Sequence, residues 1–232
     1  MTPEAGATLH RTLQEGFGLF CCRKEKNNMA TYGAKYLRFA KKKAAGVVGE
    51  SFPTYEAPVD MGPLVSVTDA ITYASAENFG DNERQEFVNE FVKIDVTAAM
   101  TEMPIETAAQ VYGATLGPTG GIGYNKEDSA PDGCLCFYTS KQAKKDGVQT
   151  KFFQGVFYPN LKGSRQGTTY NTKGASITFA NGQANFSGAS EENGYFQVFS
   201  GNLDTEAAAK AWCDKMLAGG AAAFAEAQTP AQ

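Results

Sequence analysis

The stretch that decides the fold runs from Phe91 to Gly113 and reads FVKIDVTAAMTEMPIETAAQVYG. Its first residues alternate between apolar and polar side chains, which is typical of a strand with one buried and one solvent-facing surface. The apolar residues then take helical spacing between Ile105 and Tyr112. Pro104 suits the first position of a helix, and Gly113 suits its left-handed end. The stretch therefore predicts a half-buried strand followed by a short helix whose apolar stripe packs on a β-sheet.

The other apolar segments of the chain are mostly strand-like. They are short, rich in β-branched and aromatic residues, and separated by segments that contain Gly, Pro, Asn or Asp. We predict strands in Lys35–Lys43, Leu64–Ala76, Arg84–Thr97, Cys134–Ser140, Thr150–Tyr158 and Tyr195–Phe199, and a hairpin over Ala175–Ser187 with Asn181-Gly182 at its tip. The predicted fold is mainly β within the α+β class, a β-sandwich or barrel-like domain with one short internal helix and one C-terminal helix.

Polar segments between the strands give the predicted turns and loops. Glu77–Glu83, with the sequence ENFGDNE, is predicted as the turn of a long hairpin, because Gly, Asp and Asn tolerate positive φ. Asn160–Gly174 is predicted as a loop. Asp204 is predicted to cap a final helix over Thr205–Leu217, and the Ala/Gln-rich residues 219–232 are predicted to be disordered.

Residues 1–28 differ in character from the rest of the chain and have no sustained periodicity. The codons for Lys24-Glu25 can read AAGGAG, a purine-rich ribosome-binding sequence at a suitable distance before Met29. We therefore expect translation to start at Met29, with residues 1–28 a disordered, non-native leader and residues 29–218 the folded domain. The alternative is that Arg23–Lys26 forms a basic arm that contacts nucleic acid or a partner.

Composition limits the possible partners. A chain of 232 residues fits one large domain or two small ones, and a net charge of −4 gives no general attraction to nucleic acid. No apolar run approaches the ~20 residues that span a bilayer, so we expect no membrane partner.

Five cysteines do not suggest a disulfide framework. Cys134 and Cys136 share one face of a predicted strand, and we interpret them as buried thiols rather than as a metal site.

Groups able to carry out catalysis are few. No histidine follows Met29, which removes His-dependent triads and most zinc sites. Catalysis by lysine or by paired carboxylates stays possible, but no spacing indicates it. The segment GPTGGIGY lacks both the Lys-Ser/Thr and the helix start of a phosphate-binding loop. We predict no catalytic residue, no metal, no cofactor and no enzymatic activity.

Six segments, taken in chain order, carry a resemblance to a known family. They are MATYGAKYLRFAK from Met29, FPTYEAPVDMGPLVSVTDA from Phe52, NFGDNERQEFVNEF from Asn78, ATLGPTGGIGY from Ala114, FFQGVFYPNLKGSRQGTTYNTKGASITF from Phe152 and AKAWCDKML from Ala209. This order of segments resembles the major tail proteins of bacteriophages with long, non-contractile tails, the siphophages. The resemblance extends from Met29 to about Leu217 and leaves the leader and the last residues unmatched.

The resemblance implies a tail tube fold, a β-sandwich or barrel-like domain flanked by a helix. It implies a structural virion protein whose copies close into hexameric rings and stack into a tube, a conduit through which DNA is ejected into the host. The implied partners are further copies of the chain, the tape measure, tail terminator and distal tail proteins, and phage DNA in transient, non-specific passage. The implied location is the virion tail, and the host cytoplasm before assembly.

Two groups of residues are expected to face neighbours or the lumen of such a tube. The tip of the long hairpin is expected to contact another copy through Asn78, Gly80, Asp81 and Asn82. The polar face of the hairpin strands is expected to line the lumen through Lys93, Asp95 and Thr97. The alternative function is a β-sandwich binding module, such as a receptor- or glycan-binding adhesin.

Overall fold

The structure is a computed structural model, and it describes residues 29–81, 83–145, 148–167, 172 and 181–229. The predicted leader, residues 1–28, lies outside this part of the chain. The described residues form eleven strands: β1 Met29–Ala44, β2 Phe52–Tyr55, β3 Val59–Asp60, β4 Leu64–Gly80, β5 Glu83–Met100, β6 Thr115–Leu116, β7 Ile122–Gly123, β8 Asp132–Lys145, β9 Val148–Arg165, β10 Gly182–Gly188 and β11 Val198–Phe199. They also form three helices: α1 Ile105–Tyr112, α2 Glu206–Ala218 and α3 Gly220–Gln228.

One large antiparallel sheet organises the fold. Its main path is β2-β1-β8-β9-β10-β5-β4, with β3 paired to β1 and β11 paired to β9, while β6 and β7 form a separate small ribbon. The prediction of a mainly β, α+β fold is confirmed. Because an internal helix and two C-terminal helices pack on this sheet, its central strands are covered on both faces.

Two apolar cores lie on opposite faces of the central strands. Alternate residues of β8 serve both cores, since Leu135 and Phe137 join the first while Cys134, Cys136 and Tyr138 join the second. The first core also holds residues of β1 and β4, so the sheet curls around it. The two thiols of β8 are buried and unpaired with each other, as the sequence predicts.

Helix α1 closes the first core and confirms the predicted strand-to-helix transition. Gly113 ends the helix with a φ of 68°, the left-handed conformation expected there. Pro104 lies one position earlier than predicted, at the N-cap. Tyr112 is buried, as predicted, but the buried stripe is rotated, because Ile105 is 43% exposed while Val111 is buried.

The C-terminal region differs from prediction in two ways. The side chain of Thr205, rather than that of Asp204, caps α2 by accepting a hydrogen bond of 3.1 Å from the Ala208 amide. The prediction of a disordered tail is wrong for α3, which buries Ala223 and Phe224 in the second core. Its ordering follows from apolar burial, which composition alone does not show.

The strands also extend beyond their predicted ends. β9 continues to Arg165, into the segment predicted as the loop Asn160–Gly174. Strand β10 starts at Gly182, as the predicted hairpin requires, but it inserts between β9 and β5. The first strand of that predicted hairpin, residues 175–180, lies outside the described residues.

Candidate assembly surface

The hairpin of β4 and β5 is longer than the sheet that supports it. β10 pairs with β5 from Ile94 to Met100. From Glu83 to Lys93, among the described residues, β5 pairs with β4 alone. Residues 72–80 and 83–93 therefore form a two-stranded ribbon, which we call the arm. At about 3.4 Å per residue the arm spans about 35 Å.

The cross-strand register gives the arm one aromatic face. This face continues the core-facing side of the sheet and carries Tyr73, Phe79, Phe87 and Phe91. Phe79 is 63% exposed, Phe87 is 49% exposed and Tyr73 is 48% exposed. The guanidinium of Arg84 lies 5.2 Å from the centre of the Phe87 ring. Large exposed apolar side chains grouped in this way indicate an interaction surface.

The opposite face of the arm carries smaller apolar side chains and is acidic. It carries alanines from β4 and the side chains of Glu86, Val88 and Glu90 from β5. All of these side chains are exposed. A ribbon with solvent on both faces has too little burial of its own to be stable alone, so a further contact would stabilise it.

Two irregularities of the pairing shape the arm. The register shifts between Thr72 and Tyr73 and again between Asn78 and Phe79. At the first shift Val92 is the extra residue, and it is 49% exposed although simple alternation assigns it to the buried face. Bulges of this kind bend a strand and increase its twist, and they occur where a ribbon leaves the sheet.

The predicted tip residues lie at the end of the arm. Asn78 pairs with Glu86, and Gly80 pairs with Glu83, so both strands continue through the segment predicted as the turn Glu77–Glu83. That prediction is too long, because Gly80 and Glu83 already pair across the strands, and Asp81 after Gly80 adopts a φ of 51°. Asn82, also predicted at the tip, lies outside the described residues.

The two edges of the sheet differ in whether another segment of the chain covers them. The short edge strand β2 is covered by backbone bridges from Phe52 to Gly220 and from Thr54 to Gly219. No described residue pairs with the outer edge of β4, which has 17 residues. An edge of this length offers a row of free N–H and C=O groups to another strand.

The three residues predicted to line a lumen lie together on the polar face of β5. The ammonium of Lys93 lies 2.7 Å from the Asp95 carboxylate. The hydroxyl of Ser187 donates to the same carboxylate at 2.7 Å. The hydrogen bond from Lys93, and then that from Ser187, lowers the pKa of Asp95. Thr97 follows on this face, half-buried between Thr68 and Asn185.

A second long hairpin carries the opposite charge. Residues 139–145 of β8 and 148–154 of β9 form the turn end of this hairpin, beside the edge of the second core, which Phe153 still joins. They carry Lys141, Lys144, Lys145 and Lys151, and Asp146 between the two segments is the one acidic residue of the hairpin. We call these two segments the basic hairpin. The sequence predicts two shorter strands here, Cys134–Ser140 and Thr150–Tyr158, and the observed strands continue past both of them to Lys145 and from Val148. The lysines are visible in the sequence, but their relation to the acidic arm depends on the fold.

A strained residue marks a third polar feature, at a bulge of β1. Tyr36 has a φ of 65°, unusual for a bulky side chain. Arg38 lies 4.5 Å and Lys210 5.8 Å from the centre of its ring. The Tyr36 hydroxyl donates to Asp214 at 2.9 Å. Burial, and then that hydrogen bond, raises the pKa of the phenol. These contacts tie β1 to α2 beside an open cleft of about 620 Å³.

The described residues contain no group of three or more His, Cys, Asp or Glu side chains that could hold a metal ion. No described helix is both long and apolar enough to cross a membrane. A scan against models of protein families and a search of curated proteins found no match for this chain.

Proposed function

We propose that this protein is a structural subunit of a phage tail tube, whose copies close into hexameric rings and stack around a channel for DNA. The observation that carries the proposal is the arm, a ribbon of about 35 Å that continues into the unpaired edge of β4. The resemblance of six sequence segments to siphophage major tail proteins supports it independently. The proposed location is the virion, where tape measure, terminator and distal tail proteins contact the tube.

Closure into a ring follows from the nature of the exposed edge. The free β4 edge differs from the other edge of the sheet, where bridges to Gly219 and Gly220 cover β2. A contact between two different patches is heterologous, and a heterologous contact related by rotation produces a closed ring. Each added copy then removes one free edge from solvent, which lowers the tendency of that edge to form disordered aggregates.

In this proposal the polar face of β5 lines the channel. Lys93 and Asp95 neutralise each other through their ion pair, and Thr97 is uncharged. Phosphate contacts from unpaired cations dominate the binding of DNA to proteins. A wall whose lysine is already paired would therefore let DNA pass without holding it. The role is geometric, and no catalytic group is assigned.

Electron microscopy of concentrated protein tests the proposal directly. The wild-type protein is expected to form rings or hollow tubes, and light scattering should show a mass that increases with concentration. The matched variant replaces residues 76–88 of the arm by an Asn-Gly turn, which a two-residue hairpin accepts. Those residues are exposed wherever their exposure is described, so the variant should keep its fold and lose assembly.

Two results would count against a tube subunit. One is wild-type protein that stays monomeric at all concentrations, even when it is mixed with tail-assembly partners. The other is a shortened variant that keeps its far-ultraviolet circular dichroism and assembles as well as the wild type. Selective binding on a glycan array by monomeric protein would instead favour an adhesin.

A further inference from the structure

The arm has a strong negative charge. It carries Glu77, Glu83, Glu86 and Glu90 on its strands, and Asp81 follows at its turn. The only cation that it carries before Lys93 is Arg84. Arg84 is already paired with Glu77 at 3.1 Å. No ion pair is formed in the described residues by the other four carboxylates. The arm therefore presents uncompensated negative charge together with its exposed aromatic face.

The basic hairpin is the complement of the arm. Lys144 and Lys151 are exposed and Lys141 is half-buried. Lys151 lies 5.0 Å from the centre of the Phe153 ring and 5.9 Å from that of Tyr32. None of these three lysines makes an ion pair with a described residue. The same chain thus carries the acidic arm and the basic hairpin, and no ion pair of the described residues joins the two.

The sheet register places the turns of the arm and of the basic hairpin at the same end of the sheet. β10 is antiparallel to both β5 and β9, so β5 and β9 run in the same direction, and each begins directly after its turn. Ile94, Gly188 and Leu161 lie at one level of the sheet. From that level β5 extends back to Glu83, and β9 extends back to Val148. The turns of the arm and of the basic hairpin therefore lie at the same end of the sheet, at a similar distance from that level.

A position at the same end favours contact within a ring. Rotation about a ring axis moves a surface to the next subunit without changing its height, so surfaces that meet around a ring lie at equal heights. Surfaces that meet between stacked rings lie at opposite ends of the subunit. Measured along the strands, the arm and the basic hairpin lie at equal heights, so they meet the first condition for a ring whose axis follows the strands.

We propose that the acidic arm of one copy docks on the basic hairpin of the next copy in the ring, with Glu86 and Glu90 facing Lys144 and Lys151. This inference rests on the proposed function and names the contact that selects the ring neighbour. The contact is heterologous, as ring closure requires. Complementary charges of this kind suppress wrong pairings and set the register between chains.

Charge reversal tests the contact. The variant E86K/E90K makes the arm basic, and the variant K144E/K151E makes the hairpin acidic. Each variant alone brings like charges together and should raise the protein concentration needed for assembly about tenfold. In an equimolar mixture, the reversed arm meets the reversed hairpin and the native arm meets the native hairpin. The mixture should therefore assemble into rings in which the two variants alternate.

Two control variants keep the same changes of net charge away from the ribbons. E127K/E192K matches the arm variant, and K43E/K126E matches the hairpin variant, since all four positions are exposed. Both controls should assemble like the wild type. Light scattering and microscopy measure assembly of the wild type, the two reversed variants, their mixture and the two controls in one series. Circular dichroism checks the fold of each variant. If E86K/E90K or K144E/K151E does not fold, both are replaced by the neutral variants E86Q/E90Q and K144Q/K151Q.

The outcomes separate this contact from the proposed function. Wild-type rings with unimpaired reversed variants would overturn the docking contact and leave the tube proposal standing. The same holds if both folded variants fail and their mixture fails as well. If the glutamine pairs are used, each must weaken assembly, and unimpaired assembly overturns the contact. A wild-type protein that forms no ring overturns both proposals.

Discussion

The ring of Phe91 stacks on the ring of Phe196, with centroids 4.2 Å apart and planes 12° from parallel. Of the arm residues whose exposure is described, Phe91 alone is half-buried. Phe196 lies in the segment that leads into β11 and packs against the first core. The stack therefore attaches the base of the arm to the body, at the point where β5 loses its pairing with β10.

Replacing Phe91 by Ala should lower the free energy of unfolding by about 2 kcal/mol, because it removes a partly buried ring and its stacking partner. Phe196→Ala should have a similar effect, and the double variant should cost less than the sum of the two. Urea denaturation measures the free energy of unfolding of the two single variants and of the double variant. The control is Phe87→Ala on the same face, where an exposed ring should contribute less than about 0.5 kcal/mol. Strict additivity of the first two changes would exclude the stack as the attachment.

A glycine of β9 is required by the packing of α2. A Cβ added at Gly155 would lie 2.2 Å from Cε3 of Trp212, whose ring is buried in the second core. Gly155→Ala should therefore destabilise the protein by about 1–3 kcal/mol, the usual cost of overpacking. Gly167→Ala is the control, because no atom lies within 4 Å of its added Cβ. Equal denaturation midpoints for the two variants would contradict the close packing.

The N-terminus of α2 distinguishes the predicted cap from the observed one. Thr205→Ala removes the side-chain acceptor of the Ala208 amide and should cost about 1 kcal/mol. Asp204→Ala, at the position that the sequence predicts, should change stability by less than about 0.5 kcal/mol. Thermal unfolding of both variants decides between them. A larger loss at Asp204 would restore the prediction from sequence.

Local signals allowed correct prediction where the physical cause is local. The end of α1 at Gly113 depends on one glycine in the left-handed conformation, and the structure confirms it, while the helix starts one position after the predicted Pro104. The choice between Asp204 and Thr205 failed because both side chains are good caps, and the backbone path that selects one is set by packing. Alternation along β5 likewise predicted that Lys93, Asp95 and Thr97 share a face.

Non-local causes explain what the sequence did not reveal. β9 continues to Arg165 because β10 pairs with it, and that partner lies some twenty residues further along the chain. The length of the arm depends on where β10 stops, which no property of β4 or β5 indicates. The complementarity of the arm and the basic hairpin needs the parallel directions of β5 and β9, and these are a product of topology. Order in α3 depends on a site formed by β2 and the segment around Tyr195.

That site provides a test of the C-terminal helix. The ring of Phe224 packs 5.6 Å from Phe52 and 5.8 Å from Tyr195, centre to centre. Phe224→Ala should lower the free energy of unfolding by about 3 kcal/mol, the usual cost of removing a buried ring. The control is Glu226→Ala, which removes an exposed ion pair with Lys215 and should cost less than about 0.5 kcal/mol. A wild-type midpoint for Phe224→Ala would mean that α3 does not dock.

Tyr112, at the end of α1, predicts how stability changes at alkaline pH. Burial, and then the neighbouring Tyr124, raises the pKa of its phenol to about 12. The folded-state pKa thus lies above the unfolded value near 10, so the folded protein holds the proton more tightly. This contribution to stability is fully present below the unfolded pKa and is lost as the pH rises from 10 through 12.

Tyr112→Phe should therefore reduce the loss of stability between pH 10 and 12, by at most about 1.4 kcal/mol per pH unit. Urea denaturation at pH 9, 10 and 11 measures the slope for both proteins. Tyr73→Phe is the matched control, because it removes a hydroxyl from a ring that is 48% exposed on the arm, and the wild-type slope should be retained. If Tyr112→Phe keeps the full slope while Tyr73→Phe reduces it, the phenol of Tyr112 is not buried and α1 does not close the first core.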